Sequence, residues 1–183
     1  MKKKLIIIFI FLIIIIVGVM LYFYFKENDS IVEEYQPEEE ISNEQMRQTI
    51  VSLYYKNKET GELMPEGRII DSKELLKEPY KKLVELLIEQ PKNEKLESAI
   101  PENTKINSAE LKDDIVYVDL SKEFVENHTG GEKEESTTIY SIVNTLSELT
   151  EVNGVKILIE GEEDKSFKDN KIKFNNAFVK VEN

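Results

Sequence analysis

The chain has 183 residues, with 24 lysines and arginines against 36 aspartates and glutamates, a formal net charge of −12. So acidic a chain is repelled by nucleic-acid phosphate, which excludes DNA and RNA as expected partners. It contains no cysteine, which removes disulfides, thiolate catalysis, thiolate metal sites and a lipid-modified N-terminal cysteine from consideration.

In chain order, Lys2, Lys3 and Lys4 precede a run without charge from Leu5 to Phe25. As a helix that run is about 31 Å long, enough for a hydrocarbon core of about 30 Å. Tyr22 and Tyr24 stand at its outer end, where amphipathic rings favour a lipid–water boundary. A cleavable signal peptide has a shorter apolar region and small residues at its cleavage site, whereas Gly18-Val19-Met20 is followed by bulky aromatics. The run therefore predicts a retained single-pass anchor in contact with the lipid bilayer through residues 5–25. The lysines place residues 1–4 as a stub in the cytoplasm and the C-terminal domain outside the membrane. Setting those three lysines aside leaves 21 basic against 36 acidic residues, a net of −15. Residues 26–48 are rich in glutamate and poor in apolar side chains, the composition of a disordered acidic tether.

Residues 49–183 then read as one exterior domain. Val51, Leu53 and Tyr55 alternate, predicting a strand over 49–56, and 63–70 adds an extended segment after the turn cluster 57–61. Pro79 suits a first helical position; Tyr80, Leu83, Val84 and Leu87 follow at helical spacing, and Pro91 closes the helix. Strands are predicted over 105–111 and 115–120, joined as a hairpin across 112–114. Ile139, Ile142, Val143, Leu146 and Leu149 mark one stripe of a helix over 134–149, whose acidic start favours the positive end of its dipole. Asn153-Gly154 turns into a strand over 155–160, and 172–181 predicts an edge strand. The fold class expected is α+β, a two-layer sandwich of one mixed sheet of three to five strands with two amphipathic helices on one face, plus the N-terminal transmembrane helix.

The segment Val118-Asp119-Leu120-Ser121 with Phe124, the run Val143-Asn144-Thr145-Leu146 and residues 155–161 resemble the GerMN family. Leu86-Leu87 with Pro91, and Ile100-Pro101-Glu102-Asn103-Thr104, also fit its pattern. The resemblance covers roughly 49–161, the span of one domain. It implies a compact α/β domain of cell-envelope proteins in endospore-forming bacteria, associated with sporulation and germination and similar to the ring-building modules of secretion systems.

Reactive constellations are sparse. Asp119, Ser121 and His128 are the residue types of a Ser–His–Asp triad, but no strained elbow or glycine-rich oxyanion loop surrounds the serine, which reads as the start of a turn or a cap. Glu162, Glu163 and Asp164 form an acidic turn without the ligand spacing of a calcium loop. Glu132, Glu134 and Glu135 could supply carboxylates to a wall-cleaving glycosidase, but read as an exposed helix start. Asn127-His128-Thr129 matches a glycosylation acceptor, and Asn144 and Thr145 read as mid-helix residues bonding across to the sheet. No catalytic residue, metal ligand or cofactor is expected. The function expected is a non-enzymatic interaction and assembly module of the envelope, its partners other envelope or sporulation-complex proteins or a second copy. Peptidoglycan remodelling through Asp119, Glu123 and the 132–135 acids is the alternative.

Overall fold

The computed structural model describes residues 2–28 and 47–180, and the chain divides into two units, Met1–Ile41 and Ser42–Asn183. In the first unit, α1 (Lys2–Asn28) presents exposed apolar side chains from Leu12 onward. The single-pass membrane localisation expected from this run needs correction: among the described residues no helix is long and apolar enough to cross a membrane. The single-pass placement and the orientation derived from it fall with that span. Across 29–46 the acidic tether lies outside the described residues.

The second unit begins with a long hairpin. β1 (Gln48–Asn57) pairs antiparallel with β2 (Leu63–Asp71) from Gln48↔Asp71 to Lys56↔Leu63. The alternation read in β1 sends Leu53 and Tyr55 fully into the core and leaves Ile50 on the outer face. A short helix, α2 (Ser72–Lys77), follows at once, because the Asp71 carboxylate accepts the Lys73 N–H and caps it. α3 (Pro79–Ile88) has its proline in the first turn and buries Leu83, Val84, Leu86 and Leu87. β3 (Leu96–Glu97) then adds two residues to the far end of β1.

A second sheet is built from β4 (Ile106–Lys112), β5 (Ile115–Leu120), β6 (Gly154–Ile159) and β7 (Phe178–Val179), in that order. β4 and β5 form the predicted hairpin, while β5 and β6 run parallel. Parallel neighbours need a long crossover, and α4 (Glu123–Glu126) with α5 (Glu132–Leu146) supplies it. The register sets Val116 beside Val155, Val118 beside Ile157 and Leu120 beside Ile159, so the buried faces coincide.

The expectation of one sheet with both helices on one face therefore needs correction. Two sheets form, and α3 and α5 each touch strands of both while packing on one another. The physical reason lies at Tyr54. Its N–H donates to Thr145 Oγ1 (3.0 Å) and its carbonyl accepts from Ser141 Oγ (2.7 Å). Hydroxyls of α5 thus occupy an edge of β1 where a further strand would otherwise pair. On β2, Pro65 lies opposite Tyr54, where a ladder bond from its absent N–H is not required. The edge strand expected over 172–181 shrinks to β7. The residues before it form a small hairpin, with Phe174 N–H on Lys165 O (2.8 Å), that carries Phe167 and Phe174 onto Phe124 of α4.

Candidate functional site

A cleft of about 540 Å³ opens between the 97–103 segment, the 127–129 loop and the first half of α5. Lys56 reaches into it from β1 and pairs with Glu134 (2.7 Å) and Glu97 (3.3 Å). The bond to Glu134, with the one to Glu97, holds the Lys56 ammonium above its ordinary pKa against the opposing effect of burial. The positive φ angles of Gly130 (82°) and Gly131 (96°) let the chain reverse into α5 with no Cβ to clash, and so fold His128 inward.

His128 is buried and its ring is fully committed. The Gly130 N–H donates to Nδ1 (2.9 Å), so the ring proton sits on Nε2. From there it faces Thr138 Oγ1 (2.9 Å), whose own hydroxyl donates to Ala99 O (2.7 Å). The ring also packs on Phe167 at 4.5 Å between centroids. Burial pushes the imidazole pKa down, with Glu134 partly opposing. A histidine whose acceptor nitrogen is already occupied has no lone pair for a general base. Its chemistry here is to tie the 97–103 segment to α5.

The other residues singled out in sequence are held apart. Asp119 accepts the Gly161 N–H (2.8 Å) and the Asn107 amide (3.3 Å), stapling the end of β5 to the turn after β6. Ser121 accepts the Lys105 N–H (3.0 Å) at the start of β4. Neither shares a hydrogen bond with His128. Glu162 pairs with Lys165 (2.7 Å) and Glu163 with Lys156 (3.5 Å), while the Lys156 ammonium also donates to Asn175 O. The Asn127 amide donates to Glu102 O (2.9 Å), and Thr145 does bond across to the sheet. Among the described residues no three His, Cys, Asp or Glu side chains gather as a metal-ligand group.

Two buried polar groups escaped sequence reasoning. Arg68 lies under 10% exposed, bonded to Glu66 (2.8 Å) and facing Tyr55 Oη (3.4 Å). Burial raises the Glu66 pKa, but Arg68 and the N–H groups of Asn93 (2.8 Å) and Lys92 (3.1 Å) outweigh it and hold the carboxylate below its ordinary value. Burial drives the Tyr55 phenol up to about 12. The second is Glu135, completely buried with neither carboxylate oxygen hydrogen-bonded. A signal for it existed: Glu135 stands four residues before Ile139 and seven before Ile142, on the apolar stripe itself.

A family model described as sporulation and spore germination, named Germane, matches residues 52–165. Among solved structures, a candidate lipoprotein from Clostridium perfringens is similar at 26% identity and a TM-score of 0.51, over 76% of this chain and 93% of that one. The tandem GerMN domains of the sporulation protein GerM from Bacillus subtilis align at 22% identity with a TM-score of 0.63, over 76% of this chain and 48% of that one. The chain thus spans about half of that tandem protein. Its first GerMN domain alone aligns at 19% identity and a TM-score of 0.59, over 72% and 97% of the two chains. At those identities the two GerM structures show likeness of fold. No curated protein gives a significant match. The family model covers the core from β1 to the turn after β6, and on that match the chain belongs to the sporulation and spore germination family of GerMN-type domains.

Proposed function

We propose that this protein is a non-enzymatic contact module of the cell envelope, acting in spore formation or germination by assembling with other envelope or sporulation-complex proteins or with further copies of itself. The observation that carries the reading is the commitment of Asp119, Ser121 and His128 to internal bonds that brace loops. Family membership supplies the biological setting, and the tandem arrangement of domains in GerM supports contact between folded modules as the working principle. Contact would be made by exposed faces such as the outer side of the β1–β2 hairpin, where Ile50 and Ile69 pair at 72% and 60% exposure.

The alternative, peptidoglycan remodelling, needs a carboxylic acid with a raised pKa facing a substrate. Glu123 is half-buried, and its bond from Ser121 holds its pKa down. Glu135 has a raised pKa but is sealed from solvent. Sedimentation velocity and lysine crosslinking of the full-length chain, alone and with envelope extracts from sporulating cells, test the contact reading. Discrete complexes are expected. A persistent monomer that retains no partner refutes it, and release of muropeptides from purified walls would replace it with the enzymatic one.

A further inference from the structure

One edge of β1 is satisfied by a succession of partners, and then by none. Just past the strand, Lys58 N–H donates to Lys95 O (3.0 Å); Lys56 pairs with Glu97 of β3. Both backbone groups of Tyr54 are held by the hydroxyls of Ser141 and Thr145. The intervening residues turn to the hairpin side instead, as Asn57 N–H does to Glu62 O (2.8 Å). The two directions alternate along an antiparallel ladder, so Ser52, Ile50 and Gln48 present their N–H and C=O groups to the same edge as Tyr54. Among the described residues nothing pairs with them there.

Side-chain packing leaves this stretch open. Gln48 and Ile50 are exposed, and Val51 and Ser52 border a cleft of about 170 Å³ whose other wall is Leu83, Thr145, Glu148 and Leu149. An apolar cavity of about 150 Å³ holds benzene, so this cleft admits one branched or ring side chain. From Gln48 to Ser52 the open edge is about 13 Å long. Free donors and acceptors on every second residue, beside room for one side chain, complement an extended backbone. A helix uses its own backbone groups internally and cannot meet them. Charge then selects among extended segments. The chain carries a net −12, and Glu148 lines the cleft, so a second copy would bring the same acids to the pairing, whereas a segment with basic flanks is attracted.

We infer that the Gln48–Ser52 edge of β1 is a strand-addition site for an extended segment of another protein, with alternating aliphatic side chains between basic flanks. The inference rests on the contact reading above and names where, and by what chemistry, the contact is made. The incoming strand lies on the same side of β1 as β3, with Tyr54 and its α5 hydroxyls between them. One of its inward side chains fills the cleft against Leu83 and Leu149. Its outward side chains extend the outer face that Ile50 and Ile69 already present.

The test uses the full-length chain and a synthetic peptide, Lys-Lys-Val-Thr-Val-Thr-Val-Lys-Lys, blocked at both ends. At saturating peptide, hydrogen-exchange protection of the Ile50 and Ser52 amides is expected to rise at least about tenfold. A peptide N-methylated at alternate residues keeps the side chains and charge but loses the donors, and should bind at least about tenfold more weakly. Ser52→Pro removes the outward N–H without touching the β2 ladder and should weaken binding similarly. Leu149→Gln, which takes apolar surface from the cleft, serves if the proline variant folds poorly. Equal affinity for the methylated peptide, or unchanged protection at Ile50 and Ser52, overturns the inference. So does protection that rises with the protein's own concentration in the absence of peptide, which gives the edge to a second copy. If complexes form in sedimentation while the peptide leaves these amides unprotected, the inference fails and the contact reading stands; if no complexes form, that reading fails whatever the peptide does.

Discussion

At single residues the fold is pinned by groups whose protonation or size is fixed by their surroundings. His128 must stay neutral, because the Gly130 N–H already points at Nδ1 and a second proton there would face it. Its pKa is lowered in the folded state, so its contribution is complete above the unfolded value of about 6.5 and is lost as pH falls below it. Thermal melts should therefore show wild type losing stability between about pH 7 and pH 5 relative to His128→Ala, whose acid limb is flatter. At pH 7 the same variant should be roughly 1–3 kcal/mol less stable through its orphaned partners Thr138 and Gly130. Equal acid limbs would remove the histidine from the account. Gly154 is a steric counterpart. A Cβ there would meet Ile115 Cδ1 of β5 at 2.8 Å and the Phe178 carbonyl of β7 at 3.1 Å, because those two strands flank the start of β6. Gly154→Ala should cost about 1–3 kcal/mol in denaturant unfolding by overpacking, and unfolding indistinguishable from wild type would show that β7 simply moves aside.

Among the elements, α5 carries the architecture, and it does so through hydroxyls as well as its apolar stripe. Ser141 and Thr145 are one turn apart and satisfy both backbone groups of Tyr54. Thr145→Val keeps the shape and removes the acceptor, leaving a buried N–H without a partner, a loss of roughly 1–3 kcal/mol. Thr145→Ser should recover most of it, and a double change with Ser141→Ala should not be additive, since both bonds hold one residue. Urea unfolding of the three variants checks this; a neutral Thr145→Val would mean that α5 docks by apolar packing alone. This bond also marks where the sequence stopped being legible. Alternation at Leu53 and Tyr55, and at Val116 to Leu120, announced strands with one buried face, and stripes at Leu83 and Ile139 announced helices. Period tells which side of a strand is buried but not which strand lies beside it, so the division into two sheets stayed hidden. α2 was readable and missed: Asp71 followed three residues later by Glu74 is a capping pattern. Glu135 was hidden differently. In composition it belongs to a run of exposed acids, whereas its phase along α5 places it with Ile139 and Ile142.

For the whole molecule, the net charge of −12 sets the terms on which copies or partners can meet. Like-charged surfaces repel over a screening distance of about 30 Å at 10 mM salt and about 8 Å at 150 mM. The apolar pair Ile50 and Ile69 offers attraction only at contact, since burying exposed side chains acts over the area removed from water. Self-association by this face should therefore strengthen with salt, the reverse of an assembly held by ion pairs. Sedimentation velocity of the full-length chain at about 20 mM and 300 mM sodium chloride separates these cases, the second condition screening charge to within a few ångströms of contact. The expected result is a larger weight-average sedimentation coefficient at the higher salt, abolished by Ile50→Asp. That substitution lies on an outer face and should leave the unfolding midpoint within about 0.5 kcal/mol of wild type. Association that weakens with salt, or that survives Ile50→Asp unchanged, would move the contact surface away from the β1–β2 hairpin and onto the charged faces of the domain.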